Sequence, residues 1–240
     1  MNIKKKGIGI FIAAILVISV FAAMIGTASA QQGPEVQVTD FEAYADQPAV
    51  AVDSNGNVHI AYFYTEEYWG STTYNSREIW YTMLDNNGNT LIDDTPISTD
   101  DGSVPPDTDD GGDSVHPDIA VDSNDMVHIV WRTSSNLYDI WYTKLDPSLD
   151  DQDGDAADAG AITEVDDIEL TDIDDYCCHP RMAIDSNDDI HIVWELDGDV
   201  VFYYMKIDDN GNELVAPVTV NRGGWYGRPD VAVDSTTMST

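Results

Sequence analysis

Histidine is the residue type in this chain best suited to acid–base or binding chemistry near neutral pH. The sequence has five histidines, and two of them, His116 and His179, stand directly before a proline. A histidine in such a position is either a hydrogen-bonded loop residue or part of a binding site. We assign both to a candidate binding surface.

The other three histidines, His59, His128 and His191, recur in step with a repeated phrase of the sequence. Each comes a few residues after an Asp-Ser pair and directly before an isoleucine. A residue that recurs in every copy of a repeat is expected to do the same packing job in each structural unit. We therefore predict a structural role for these three, and neither a metal-binding nor a catalytic one.

Aromatic residues cluster in two segments of variable sequence. Tyr68, Trp69 and Tyr74 lie in one segment, and Trp225 and Tyr226 lie in the other. Their rings could stack on sugars or anchor a protein partner, and they could equally cover exposed strand edges. The candidate binding set adds three residues to these aromatics: Arg77, His116 and His179.

One acidic stretch has the alternation of carboxylates that calcium loops use. Asp151, Asp153, Asp155 and Asp158 surround Gly154, so several oxygens could converge on one hard cation. The stretch departs from an EF-hand loop because its glycine comes early and the closing glutamate is absent. The alternative is a solvated acidic loop. Calcium is the only cofactor that the sequence suggests.

The two cysteines, Cys177 and Cys178, are adjacent in the sequence. Neighbouring cysteines can form a disulfide only through a strained ring, so a vicinal disulfide, a pair of thiols and a link to another chain all stay open. The usual spacing of zinc ligands is absent.

Charge excludes several classes of partner. The formal net charge is −35, from 45 acidic and ten basic residues. So acidic a chain cannot neutralise phosphates, which excludes nucleic acid and an anionic membrane surface as partners. The sequence also lacks a Gly-x-Ser-x-Gly elbow, a phosphate-binding glycine loop and an HExxH motif.

A repeated sequence that contains the phrase Pro-x-Ile-Ala-Val-Asp-Ser-Asn provides the scaffold for these residues. The repeated sequence occupies residues 47–62, 116–131 and 179–194, and it begins again at Arg228. In each copy a short apolar run leads into an Asn- or Asp-rich turn and then into a second apolar run. Two further predicted strands follow in each copy, and the mature chain shows no helical period.

Four antiparallel strands for each repeat predict an all-β fold, a β-propeller of four-stranded blades. We place the blades at approximately residues 47–99, 116–171 and 179–221, with the start of another at 228–240. Glu35 to Asp40 match the ends of the fourth strands and predict a leading outer strand. Because a propeller needs about four blades or more, we expect an incomplete ring and further blades or domains in a longer chain.

The first thirty residues are predicted to be a signal peptide. Lys4, Lys5 and Lys6 precede an uncharged apolar run, and Ala28-Ser29-Ala30 supplies small residues for cleavage. An uncleaved anchor is the alternative. In both cases residues 31–240 form a partial propeller domain outside the cytoplasm, secreted or at the cell surface.

The repeat resembles the sialidase-like (BNR-type) propeller repeats of exported prokaryotic surface proteins. The phrase from Asp53 through His59 to Tyr62 carries this resemblance, which covers nearly all of residues 35–235. The Asp-box of that family, Ser-x-Asp-x-Gly-x-Thr-Trp, does not occur in proper form, so the resemblance is one of fold.

Variable loops on a repeated scaffold are where binding residues concentrate. We therefore expect a cell-surface binding or scaffold module rather than an enzyme, one that recognises a glycan or a surface protein through loops on one propeller face. The alternative is a propeller-type glycoside hydrolase or polysaccharide lyase with catalytic residues partly outside this chain. A purely structural surface component is the third interpretation.

Overall fold

The computed structural model confirms the predicted all-β propeller architecture. It describes residues 35–39, 44–65, 77–98, 113–133, 138–150, 159–171, 177–196, 201–222 and 228–234. These residues contain three four-stranded antiparallel sheets, each with its strands in chain order. All three sheets belong to the compact unit Val36–Thr240.

Each sheet is one propeller blade. The first blade consists of β1 (Tyr44–Val52), β2 (Val58–Thr65), β3 (Glu78–Leu84) and β4 (Thr90–Pro96). The second consists of β5 (Ser114–Val121), β6 (Val127–Thr133), β7 (Ile140–Leu145) and β8 (Thr163–Glu169). The third consists of β9 (Cys177–Ile184), β10 (Ile190–Leu196), β11 (Val201–Ile207) and β12 (Glu213–Arg222). A 3-10 turn (Pro147–Leu149) and the short helix α1 (Ala159–Ile162) lie between β7 and β8.

An aspartate closes the hairpin between the first two strands of every blade. In the first blade, Asp53 Oδ1 accepts hydrogen bonds from the backbone N–H groups of Asn55 and Asn57, at 2.9 and 2.7 Å. Gly56 takes a φ of 84°, which glycine adopts without strain. These bonds are local, so the turn and the register of its strands follow from the sequence of the repeat.

The cores lie between blades. One apolar cluster joins the first and second blades and includes Ile79, Ile129 and the buried Trp131. A second cluster joins the second and third blades and includes the buried Trp194. The inner strands also contact one another, β1 against β5 and β5 against β9.

Two segments of the predicted pattern lie outside the sheets. Residues 35–39, predicted as an outer strand, join none of the three sheets. Val38 instead packs against an apolar cluster of the first blade that contains Tyr62 and Trp80. Residues 228–234, the start of the fourth repeat, also lie outside the sheets.

The repeated turns also connect neighbouring blades. Ser54 donates from its backbone N–H to Asp125 Oδ1 at 2.8 Å and from its hydroxyl to Asp125 Oδ2 at 2.6 Å. Ser123 makes the same pair of bonds to Asp188, at 3.0 and 2.7 Å. Both aspartates have a left-handed backbone, with φ of 62° and 60°. The left-handed backbone is strained in a residue other than glycine. The hydrogen bonds between blades therefore offset a local cost in free energy.

Replacing Asp188 with alanine is expected to lower the free energy of unfolding by about 2 kcal/mol, because the two hydrogen bonds from Ser123 and a longer one from Asn124 are lost and alanine takes a positive φ. Urea denaturation measures the change. Asp188→Asn is the matched control, since asparagine tolerates this backbone and keeps one acceptor, and it should lose less than half as much. Equal stability of the alanine variant and the native protein would refute a contribution of these bonds.

Candidate functional site

The residue before each repeated proline has an unusual backbone. Gln47, His116 and His179 have φ values of 53°, 57° and 49°, in the left-handed region that few non-glycine residues occupy. The pairing register between the first and second strand shifts at this point in every blade. Bulges of this kind redirect a side chain and are frequent beside functional sites.

The bulges bring the two histidines together. The rings of His116 and His179 have centroids 4.2 Å apart, although the residues belong to different blades. Gln47 contributes from the first blade, where its Oε1 accepts a hydrogen bond of 3.1 Å from the backbone N–H of His116. Three consecutive blades thus meet at this point.

Glu195 positions one of the two imidazoles. Its Oε1 lies 2.7 Å from Nδ1 of His179. Glu195 is near the end of β10 and pairs in register with Cys178 at the start of β9. The pair therefore lies at the end of the blades opposite the Asp-Ser-Asn turns, which we call the loop end. This is the end from which the variable loops leave.

Three arginines complete the site. Arg132 is at the end of β6, Arg181 is in β9, and Arg228 occupies the position before the fourth repeated proline. All three lie close enough to His116 to lower its pKa by charge repulsion. The inner-strand cluster is defined by these residues: His116, His179, Glu195, Arg132, Arg181 and Arg228.

The guanidinium groups have few partners among the residues that the structure describes. Arg132 lies over the ring of Tyr138, 4.5 Å from its centroid, and Nη1 is 3.7 Å from the sulfur of Cys178. Arg181 donates from Nη1 to the carbonyl oxygen of Pro180 at 2.9 Å. Within the described ranges, no carboxylate oxygen lies within 4.0 Å of a nitrogen of Arg132, Arg181 or Arg228.

Burial and charge keep the histidine pair neutral at neutral pH. Burial lowers the pKa of His116 to about 3, and repulsion from His179 and the arginines adds to the effect. Burial also lowers the pKa of His179, although Glu195 acts in the opposite direction. The cluster thus presents two unprotonated imidazoles beside three permanent positive charges.

Loss of stability in acid is expected to depend on His116. Its pKa falls from 6.5 to about 3 on folding, so between these values the unfolded chain binds a proton that the folded chain does not. The free energy of unfolding should therefore decrease as the pH falls through that window. Urea denaturation between pH 7 and pH 4 should show a smaller decrease for His116→Gln than for the native protein. Identical decreases would contradict the assignment.

The cluster has the components of an acid–base site for an anionic ligand. A neutral imidazole oriented by a carboxylate can take a proton from a substrate and hold it as an imidazolium. His116 supplies a second imidazole, whose Nδ1 is buried and has no hydrogen-bond partner among the described residues. The guanidinium groups can bind a carboxylate through paired hydrogen bonds.

Of the eight predicted binding residues, the structure brings His116 and His179 into this cluster. Arg77 lies elsewhere: it forms an ion pair of 3.7 Å with Asp113 and lies 5.6 Å from the centroid of the Phe63 ring. Five predicted aromatics lie outside the described residues: Tyr68, Trp69, Tyr74, Trp225 and Tyr226.

The predicted calcium residues Asp151, Asp153, Asp155 and Asp158 also lie outside the described residues, and that site stays a prediction. In the described part of the chain, no group of three His, Cys, Asp or Glu side chains is arranged to hold a metal ion. Nor do those residues include an apolar helix long enough to cross a membrane.

Both cysteines are buried thiols in the structure. Cys177 packs in the core between the second and third blades, with its sulfur 3.9 Å from Thr171 Oγ1. Cys178 borders the inner-strand cluster through its contact with Arg132.

The three recurring histidines have the same surroundings in every blade. Nδ1 of His59, His128 and His191 lies 2.7, 2.9 and 3.0 Å from the hydroxyl of a third-strand tyrosine. Nε2 lies 3.6, 3.4 and 3.0 Å from the aspartate that closes the hairpin turn. Each histidine thus connects its turn to the third strand, which explains why it recurs.

Four residues of the cluster were not among the predicted binding residues: Arg132, Arg181, Arg228 and Glu195. One signal for Arg228 was present in the repeat, where the position before the proline reads Gln47, His116, His179 and Arg228. Aligning the four copies of the repeat puts Arg228 at the same repeat position as the two histidines.

Comparison with known proteins supports the assignment of the fold. No protein-family model matches the chain, and no curated protein matches it significantly. An ulvan lyase of a polysaccharide lyase family, bound to -[GlcA(1-4)Rha3S]-, has 10% identity over 78% of this chain and 45% of its own, with a TM-score of 0.50. The likeness is that of the β-propeller fold.

Two glycoside-cleaving enzymes have lower scores. An α-L-arabinofuranosidase from Podospora anserina in complex with cellotriose has 12% identity over 80% of this chain and 56% of its own, with a TM-score of 0.48. An endo-arabinase from Bacteroides thetaiotaomicron has 12% identity over 81% and 61%, with a TM-score of 0.42. The chain thus spans 45% to 61% of the length of these three structures. The predicted resemblance to sialidase-like repeats is borne out only as far as the propeller fold.

Proposed function

We propose that this protein is an exported enzyme that binds a glycan at the loop end of its blades and cleaves it at the inner-strand cluster. The observation that carries the proposal is the contact of His116 and His179, from two blades, with Glu195 hydrogen-bonded to one of them. Export rests on the signal-peptide pattern of the first thirty residues.

The geometry supports a catalytic role for His179. A carboxylate bonded to one imidazole nitrogen fixes the tautomer and orientation of the ring and stabilises the imidazolium that forms during proton transfer. Glu195 Oε1, 2.7 Å from Nδ1, leaves Nε2 of His179 as the nitrogen that acts on a substrate. In this assignment His179 is the general base, and His116 binds the other side of the scissile bond as a neutral imidazole.

The strained backbone is a second support. Two histidines held at positive φ cost conformational energy, and such strain persists where the surrounding structure and a functional requirement maintain it. The propeller fold, shared with a polysaccharide lyase, is compatible with a glycan-cleaving site at the ends of the inner strands.

The experiment is digestion of a panel of neutral and acidic polysaccharides by the purified protein, with new chain ends and product size as readouts. We expect new ends from at least one glycan, and their loss in His179→Gln. Arg77→Gln is the matched control, because Arg77 is near the loop end but outside the cluster. Binding of a glycan without new ends would overturn the enzymatic proposal and establish a binding module.

A further inference from the structure

The charge of the inner-strand cluster is unlike that of the rest of the chain. The chain has only five arginines against 45 acidic residues, and three of those arginines meet in this cluster. In so acidic a chain, an arginine can readily find a carboxylate partner, as Arg77 does with Asp113. Arg132, Arg181 and Arg228 have no ion pair among the described residues.

Two carboxylates of the neighbouring strands have other partners. Glu195 is bonded to His179, and Asp118 Oδ2 accepts a hydrogen bond of 2.7 Å from the backbone N–H of Met182. Burial raises the pKa of Asp118, and the charge of Arg181 acts in the opposite direction. Among the described residues, no carboxylate thus forms an ion pair with these three guanidinium groups.

One of the guanidinium groups is held in a fixed orientation. Arg132 stacks on Tyr138, and its Nε is buried without a hydrogen-bond partner among the described residues. A planar guanidinium with unused donors matches a planar carboxylate, which accepts two parallel hydrogen bonds. Arginines from different blades can thus surround a single carboxylate.

We propose that the inner-strand cluster binds the carboxylate of a uronate residue and that the glycan is cleaved there by β-elimination. This inference rests on the proposed function, since it names the substrate class and the reaction of the same site. Glycoside hydrolysis commonly uses a pair of carboxyl groups, one as an acid and one as a base or nucleophile. Here Glu195 is bonded to a histidine, so the cluster fits an imidazole base better than a carboxylate pair.

The elimination needs no group besides the site, the substrate and solvent water. Arginines neutralise the uronate carboxylate and thereby acidify the C–H bond next to it. His179 removes that proton, the C–H electron pair forms a carbon–carbon double bond, and the adjacent glycosidic C–O bond breaks. The leaving oxygen takes a proton from solvent, and His179 afterwards releases the proton that it removed to solvent. The products are a saturated chain and a chain that ends in an unsaturated uronate.

The test compares an oligogalacturonate with its methyl ester, which has the same size and no charge. Calorimetric titration of the purified protein should show binding of the acid at least about tenfold tighter than the ester, since a charge-assisted pair is lost in the ester. Arg181→Gln and Arg228→Gln should each weaken binding of the acid about tenfold, and Arg77→Gln should not change it. Arg181→Lys serves as a second variant that keeps the charge if the glutamine variant fails to fold.

Equal affinity for acid and ester, or equal effects of Arg77→Gln and Arg181→Gln, would overturn the carboxylate site. The two proposals fail in different ways. Cleavage of a neutral glycan that depends on His179 would keep the proposed function and refute this inference. Tight binding of the acid without cleavage would keep the carboxylate site and refute the enzymatic function. An unsaturated product, detected by its ultraviolet absorbance and mass, would support elimination, and a saturated product would contradict it.

Discussion

His179→Gln is expected to reduce the rate of glycan cleavage by about 10²- to 10⁴-fold, the range over which a positioned general base contributes to catalysis. Glutamine keeps hydrogen-bonding capacity near Glu195 but cannot take up a proton at neutral pH. The measurement is the turnover rate on the polysaccharide that gives the highest rate in the panel. Unchanged substrate affinity with a reduced rate would show that the imidazole acts in the chemical step.

Glu195→Gln separates positioning from general base catalysis. The carboxylate raises the pKa of His179 against the effect of burial, so its removal should lower that pKa further. The acid limb of the rate–pH profile should then move to lower pH, and the maximal rate should decrease because the imidazolium loses its counter-charge. His191→Gln is the matched control: this histidine also lies beside a carboxylate, Asp185, but it belongs to a hairpin turn. A profile that does not move in Glu195→Gln would contradict the role of Glu195.

His128→Leu is expected to lower the free energy of unfolding by about 3 kcal/mol. His128 is fully buried, with Nδ1 2.9 Å from the hydroxyl of Tyr142 and Nε2 3.4 Å from Asp122 Oδ2. Leucine would leave the buried Asp122 carboxylate without the imidazole beside it. A buried polar group that loses its polar partner is no longer compensated for the free-energy cost of its removal from water.

His191→Leu is the matched control for this prediction, because the same contacts are made there by a half-buried side chain. His191 is 18% exposed, and Lys206 Nζ also contacts Asp185 Oδ2, at 3.0 Å. Water and Lys206 can replace part of the contact that the imidazole makes with Asp185. The free energy of unfolding should therefore decrease by about half as much as in His128→Leu, or less. Urea denaturation of both variants gives the comparison. A smaller loss for His128→Leu than for His191→Leu would refute the buried connection between turn and third strand.

The sequence predicts the blades because the signals that build them are local. An Asp-Ser-Asn turn fixes its own hydrogen bonds, as Asp53 does with Asn55 and Asn57, and alternating apolar residues then define the strands on either side. The same locality explains why His59, His128 and His191 could be assigned a structural role. A residue that recurs in every repeat thus makes a contact that each blade needs for its own structure.

The candidate site was only partly predictable, because it depends on how blades meet. His116 and His179 were predicted as binding residues, but their contact requires a bulge and a positive φ in two different blades. Arg132 and Glu195 each lie one residue before the end of a strand, and neither stands out in the sequence. Their convergence follows from the packing of β5 against β9 and of β6 against β9, and no spacing along the chain encodes it.

The most direct test of the central claim is a nuclear magnetic resonance titration of the five imidazoles with oligogalacturonate. If the inner-strand cluster is the uronate site, the signals of His116 and His179 shift with saturating ligand, because a carboxylate bound among the arginines changes their electrostatic surroundings. The signals of His59, His128 and His191, which belong to the hairpin turns, stay in place. Saturable binding that leaves His116 and His179 unshifted would place the glycan elsewhere and contradict the account.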